Sequence, residues 1–355
     1  MDIQAKIREM GHEQVVFCHE PSCDYFGIIA IHDTTLGPAL GGTRLWHYGG
    51  TEEALTDALR LARGMTYKAA AAGLNLGGGK AVILGDSKRE DRETLFRAHG
   101  RFVQSLGGRY ITAEDIGTSP ADMEFVRRET DFVAGLQNLS GDPSPVTGYG
   151  VYVGMKACAR KRWGRDSLSG RTVLVQGAGK VAYALCRHLR EEGARVVVTD
   201  IDPEQARRVV EDLGATAVDP EAIYDQPGDI YAPCALGATV NDETLPRLKV
   251  EIIAGGANNQ LAEERHGIEL ERRGMLYAPD FVINSGGLIN VYGELEGWPQ
   301  ERAKRKAQEI YDAILKVFAI AERDGIPSFQ AADRLAEERI AAVVGLSKMW
   351  MGGRR

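Results

Sequence analysis

The sequence predicts an α/β protein of two domains, and three observations predict it. Its 355 residues exceed what one hydrophobic core usually serves. Amphipathic helical stretches alternate with short β-branched runs, the pattern of helices layered on a sheet. A glycine-rich turn, QGAGKVA (176–182), sits between a strand-like and a helix-like segment with dinucleotide-binding spacing. The bulk composition, 44% hydrophobic and 26% charged, is that of a globular chain. A formal net charge of -7 offers no basic field, so neither nucleic acid nor a membrane surface is an expected partner. The opening MDIQAKIREMGHEQ lacks an apolar signal core and no run is long enough to span a bilayer, so a cytoplasmic location is expected. The five cysteines (18, 23, 158, 186, 234) are odd in number and form no CxxC pair, and no metal site is expected.

Taken in order, QVVF and YFGIIAI, within about 14–46, read as strands. A helix follows from Thr51, a candidate N-cap with Glu52 and Glu53 in the first turn, where the helix dipole favours acids. Leu55, Ala58, Leu59, Ala62 and Met65 fall on one face of helical period. Lys68 continues that stripe just before Gly73, which ends the helix. Two readings of Lys68 stand: a buried stem with its ammonium in water, or an anion receptor favoured by the helix C-terminus.

The next stretch, AGLNLGGGKAVI (72–83), looks like a phosphate loop and fails as one. Leu74 stands where the first loop glycine belongs, and Ala81 follows Lys80 where a magnesium-binding hydroxyl belongs. AVIL (81–84) reads as a strand, 91–106 as a helix and RYIT (109–112) as a strand running into Asp115. Ligands of α/β sheets bind beyond the carboxyl ends of strands, which is where Asp115 falls.

The Gly-, Pro- and Ser-rich stretch 138–150 reads as an interdomain connection. The expected domains are therefore 1–137, with 330–355 returning to it, and 138–329. A helix beginning between Pro145 and Gly150 leads to the most legible pattern. A strand, Thr172–Gln176, precedes Gly177, Gly179 and Ala182 in G-x-G-x-x-A spacing, then come a helix ended by Gly193 and a strand ending at Asp200. Gly177 suits the tight turn, Gly179 a close approach of backbone to pyrophosphate, and Ala182 helix-strand packing, while Asp200 can accept from a ribose hydroxyl. Asp200 and Asp202 would repel a 2′-phosphate, so the expected cofactor is NAD rather than NADP. GDIYAPCALG, VEIIAGGANNQ and GMLYAPDFVINSGG extend the sheet, and helices over 299–323 and 332–346 close the chain.

Several long segments resemble the glutamate/leucine/phenylalanine/valine dehydrogenases: GPALGGTRLW (37–46), GMTYKAAAAGLNLGGGKAVI (64–83), RYITAEDIGT (109–118), DIYAPCALGA (229–238), AGGANNQL (254–261) and YAPDFVINSGG (277–287). The leucine-type members match best. The resemblance implies two domains, a mixed-sheet substrate and oligomerisation domain and a Rossmann-type domain, with an active site in the cleft between them. It implies oxidative deamination of an L-amino acid by NAD to a 2-oxo acid, ammonium and NADH, in homo-oligomers from dimers to octamers. Carried onto matching positions, Lys68 binds the substrate carboxylate, Lys80 is the general base that activates water, and Asp115 assists proton transfer. A buried lysine beside a second cation, here taken to be Lys68, has the lowered pKa that a base needs, and the glycines would let substrate and nicotinamide approach Lys80.

The same resemblance places Leu40, Gly41, Gly42, Met65, Ala113, Asn259, Leu288 and Val291 around the substrate. It places Thr147, Gly177, Gly179, Lys180, Val181, Asp200, Cys234, Ala235 and Asn258 around the cofactor. Leu40 and Val291 stand where glutamate-specific relatives carry a lysine and a serine, so an apolar substrate side chain is expected. Ala113 matches the leucine type and Leu288 the phenylalanine type, which leaves branched-chain amino acids expected first, with phenylalanine or valine as alternatives. A dehydrogenase acting on a hydroxyl would want a His-Asp or Tyr-Lys pair in place of two lysines and an aspartate. A non-catalytic NAD-binding protein would not need all three.

Overall fold

A computed structural model of the chain describes residues 3–136 and 141–344. The expected domain boundary at 137/138, part of the 138–150 connection and the chain beyond 344 lie outside the described residues. Two compact units emerge. One comprises the described residues up to Gly141, with Glu294–Gly297 and those from Ala336 onward; the other comprises Asp142–Gly293 and Trp298–Leu335. Among the described residues no helix is long and apolar enough to cross a membrane.

The first unit begins with α1 (Ile3–Met10), β1 (Gln14–Glu20), β2 (Tyr25–Asp33), β3 (Ala39–Trp46) and α2 (Thr51–Ala71). It continues with β4 (Gly77–Leu84), α3 (Arg92–Ser105), β5 (Tyr110–Glu114) and α4 (Pro120–Arg127). The sheet order is β1-β2-β4-β3-β5, with β2 antiparallel to β1 and β4, and β3 parallel to β4 and β5. Because successive strand residues point to opposite faces, Ile28, Ala30 and Val82 pack on Ala54, Leu55, Ala58, Leu59 and Ala62 of α2. Ile29, Ile31, Leu45, Ala81 and Ile83 pack instead with Leu95, Phe96, Val103, Met123 and Val126 of α3 and α4.

Two details of this unit differ from the sequence reading. β4 starts at Gly77, not Ala81, so the glycine run and Lys80 lie inside a central strand; glycine has poor strand propensity, and pairing on both sides overrides it. Thr51 does not cap α2. Gly50 is the N-cap, without a side-chain bond, and Glu53 reaches back to accept from the Gly49 amide at 2.7 Å. α4 has a full capping box between Ser119 and Asp122, with Pro120 in the first turn.

The second unit contains α5 (Ser144–Trp163), β6 (Thr172–Gln176), α6 (Lys180–Glu191), β7 (Arg195–Thr199), α7 (Pro203–Leu213) and β8 (Thr216–Ala217). Then follow β9 (Ile230–Pro233), β10 (Ile252–Ile253), α8 (Glu264–Arg272), β11 (Leu276–Tyr277) and α9 (Asp280–Ile283). Its sheet, in the order β11-β10-β9-β6-β7-β8, is parallel throughout. The closing helices are α10 (Gly286–Leu295), α11 (Gln300–Gln308), α12 (Ile310–Asp324) and α13 (Ser328–Val344). The single helix read over 299–323 is two, broken at Glu309. The C-terminal half of α13 belongs to the first unit, where Ala336 packs on Leu36 and Ala70 and Arg339 donates to the carbonyls of Ala70 and Leu74.

Candidate active site

Strand alternation decides what the first unit presents to α2. Even-numbered residues of β3 and β4 face that helix, which puts Leu40, Arg44 and Lys80 on its side of the sheet, and Met65 and Lys68 in the last turns of α2 are half-buried. Ala113 of β5 pairs with Gly42 and shares the face. Lys80 is 6% exposed and forms an ion pair with Asp115, which follows β5. Gly42 makes this possible: a β-carbon there would stand 2.9 Å from the Asp115 β-carbon. The Asp115 carboxylate also accepts from the Ile116 amide at 2.7 Å, and the Asp115 amide donates to Thr118 Oγ1 at 2.8 Å, so the turn is held at both ends.

Burial lowers the Lys80 ammonium from its ordinary 10.5 to about 7, and the Arg44 guanidinium pushes in the same direction. Contact with the Asp115 carboxylate opposes both, favouring the charged lysine. A lysine so placed can give up and regain its proton near neutrality, with a carboxylate in contact to share it. Arg44 is thus a cation acting on Lys80 that the sequence reading did not name. Lys68 is half-buried in the last turn of α2.

The glycines also have a different cause from the one expected. A β-carbon at Gly78 would overlap the backbone nitrogen and hydroxyl of Thr66 on α2, and one at Gly79 would lie 2.6 Å from the Tyr110 ring. One at Gly41 would overlap the carbonyl of Gly79. The bare backbone is filled by the protein itself, which draws α2 and β5 tightly onto β4.

Sequence reasoning missed Arg44 and Asp57, which join at 2.7 Å, with Tyr48 Oη and Arg60 Nη2 on the same Asp57 carboxylate at 2.8 and 3.1 Å. The available signal was a charge in the middle of each apolar pattern, Arg44 between Thr43 and Leu45, and Asp57 on a helix with Leu55, Ala58 and Leu59.

In the second unit Gly177 has φ +102, and a β-carbon there would meet Ala235 at 2.8 Å, so the turn brings Cys234 and Ala235 against the glycine-rich loop. Gly179 is the N-cap of α6 with no side-chain bond, and nothing lies within 4 Å of the position its β-carbon would take. Lys180, next in line, pairs with Asp142 at 3.1 Å, and Val181 lies 3.0 Å from where a β-carbon of Gly256 would be. Asp200 accepts from the Ala178 amide at 2.6 Å, which ties it to the loop. An open glycine backbone at an uncapped helix start, with a carboxylate fixed beside it, fits a dinucleotide pyrophosphate and ribose.

Further along, Ala238 and Asn259 both adopt left-handed backbone, and the Ala238 amide donates to the Asn259 carbonyl at 2.6 Å. Asn284 donates to the Asn258 side chain at 2.7 Å, fixing the first asparagine of the pair. Thr147, in the first turn of α5, donates to Pro143 at 2.9 Å and lies 3.1 Å from where a β-carbon of Gly287 would be. Leu288 and Val291 follow on α10, the former buried and the latter half-buried.

A Rossmann-type unit and a unit with a buried lysine-aspartate pair are the parts of a dinucleotide-dependent oxidoreductase. Comparison with known proteins agrees. The family profile described as Glu/Leu/Phe/Val dehydrogenase, dimerisation domain, matches residues 12–132, and that of Glutamate/Leucine/Phenylalanine/Valine dehydrogenase matches 140–345. The chain belongs to this amino acid dehydrogenase family. A leucine dehydrogenase from Geobacillus stearothermophilus is 60% identical over 96% of this chain and 94% of that protein. A phenylalanine dehydrogenase from Bacillus thermotolerans is 48% identical over 93% of this chain and 89% of that protein. The crystal structure of L-tryptophan dehydrogenase from Nostoc punctiforme superposes with a TM-score of 0.89 at 48% identity, covering 96% of this chain and 99% of that one.

Proposed function

We propose that the protein catalyses the reversible, NAD-dependent oxidative deamination of an apolar L-amino acid, branched-chain side chains preferred, giving the 2-oxo acid, ammonium and NADH. The observation that carries this reading is the buried Lys80 in contact with Asp115, a pair able to move protons near neutrality. The 60% identity to a leucine dehydrogenase supports the substrate class. Bound NAD supplies the hydride acceptor, and everything else is work for the chain's own residues. Lys68 receives the substrate carboxylate. Once hydride has left the α-carbon, Lys80 removes a proton from the water that adds across the C=N bond of the oxidised substrate, and Asp115 passes protons to and from the nitrogen, which departs as ammonia. Leu40, Gly41, Gly42, Met65, Ala113, Asn259, Leu288 and Val291 surround the substrate. Gly177, Gly179, Lys180, Val181 and Asp200 take the adenosine and pyrophosphate side of NAD, and Thr147, Cys234, Ala235 and Asn258 its nicotinamide side. The acids at Asp200 and Asp202 favour NAD over NADP.

A second reading, a phenylalanine preference, is favoured by Leu288 and by the 48% identity to a phenylalanine dehydrogenase. The protein works as a homo-oligomer in the cytoplasm, with small molecules as its other partners; the match to a dimerisation domain supports the first point. Absorbance at the NADH band, followed with NAD and a panel of L-amino acids at alkaline pH, tests the reaction. Growth with leucine, isoleucine or valine exceeding that with phenylalanine, and little with glutamate or NADP, is the expected result. The highest kcat/KM with phenylalanine would select the second reading.

A further inference from the structure

Arg44 has no part in the reaction as proposed, yet it bridges two acids of the Lys80 neighbourhood. Its Nη1 donates to Asp57 Oδ2 at 2.7 Å, and its Nη2 lies 3.6 Å from Asp115 Oδ2, the oxygen that faces Lys80. Asp57 is itself pinned by the Tyr48 hydroxyl at 2.8 Å and by Arg60 Nη2 at 3.1 Å. The Arg44 side chain is 18% exposed, and a guanidinium hydrogen-bonded to Asp57 at one end and within ion-pair range of Asp115 at the other places its charge beside the Lys80-Asp115 pair.

Resting on the function proposed above, we propose that Arg44 is a positioning residue: anchored by Asp57, it holds the Asp115 carboxylate against Lys80 and supplies the positive charge that opposes the Lys80 proton. The charged groups around Lys80 come from three directions. β3 contributes Arg44, the turn after β5 contributes Asp115, and α2 contributes Asp57, Arg60 and, in its last turn, Lys68, while β2 sets the neutral Ala30 opposite Lys80. Arg44 is the largest of the charges lowering the Lys80 pKa. Arg60, half exposed, is screened by solvent. Removing the Arg44 charge therefore leaves the Asp57 and Asp115 carboxylates facing less positive charge, and the Lys80 proton is held more tightly.

The test compares Arg44→Gln with Arg44→Lys in the full chain. Competitive acetylation read by mass spectrometry gives the titration of Lys80 without substrate, and the pH profile of kcat/KM for L-leucine with NAD gives the kinetic counterpart. In Arg44→Gln the Lys80 titration and the acid limb both move up by about one pH unit, a roughly tenfold loss of rate below the limb. In Arg44→Lys the limb stays in place because the charge remains, while kcat falls about tenfold because an ammonium cannot bridge two carboxylates as a fork does. A Lys80 titration unmoved in Arg44→Gln overturns the charge role. Undiminished kcat in Arg44→Lys, or a limb shifted as far as in the glutamine variant, overturns the positioning role, and the lysine variant carries this test should the glutamine variant not fold. Absence of turnover in the unaltered protein would refute the proposed reaction and leave the acetylation result as the test of Arg44.

Discussion

Gly78 has no side chain because α2 crosses β4 at that point, with the Thr66 amide and hydroxyl in the space a β-carbon would need. Gly78→Ala forces helix and strand apart and should cost about 1–3 kcal/mol. Thermal unfolding reads this directly, and an unchanged Tm would show that the contact yields freely. Asp200 makes a second prediction. Asp200→Asn keeps an oxygen to accept from the Ala178 amide while removing the charge that opposes a 2′-phosphate. The ratio of kcat/KM for NAD to that for NADP should fall by about tenfold or more; a ratio left intact would place cofactor choice elsewhere. Asp200 stands out in the sequence by its spacing from Gly177, whereas Lys80 and Asp115 are singled out through the resemblance to the dehydrogenases, and their contact appears only in the folded unit. The cause of the glycines was not legible, since Thr66 and Tyr110 are neighbours only in the folded unit.

At the level of elements, the helical period of α2 and the strand alternation of β3 and β4 together predict which side chains meet. The period was visible from Leu55 to Lys68. The start of β4 was not, because three glycines carry no β-branched signal. The packing of α1, β2 and α2 produces a further consequence through two histidines. His12 Nε2 lies 3.0 Å from the Leu59 carbonyl, His32 Nδ1 lies 2.9 Å from Thr66 Oγ1, and the rings meet edge to face at 4.8 Å. Burial, then the neighbouring His32, lowers His12 from 6.5 to about 4. A pKa depressed in the folded state means that the unfolded chain takes up this proton first as pH falls. The contribution to stability is therefore complete above about pH 6.5 and is lost progressively toward about pH 4. Urea unfolding midpoints should fall between pH 7 and pH 5, and less steeply in His12→Gln. Equal slopes in the two proteins would assign the acid sensitivity to other groups.

For the whole molecule, the two units divide the chemistry. The lysines and Asp115 belong to the mixed-sheet unit, and the dinucleotide fingerprint belongs to the parallel-sheet unit. Both architectures were legible, the second more fully, because the turn of Gly177 and Gly179 is local and its acid follows at a set distance. The Arg44-Asp57 bridge was not, because it joins a strand to a helix and no local pattern announces which charge meets which. This division makes a direct test possible, since loss of the base should leave cofactor binding whole. The measurement is the initial rate of NADH formation from L-leucine and NAD by Lys80→Ala, made on protein shown by fluorescence titration to bind NADH. The account predicts NADH binding like that of the unaltered protein and a rate well below about a tenth of its rate. A rate above that level would contradict Lys80 as the base.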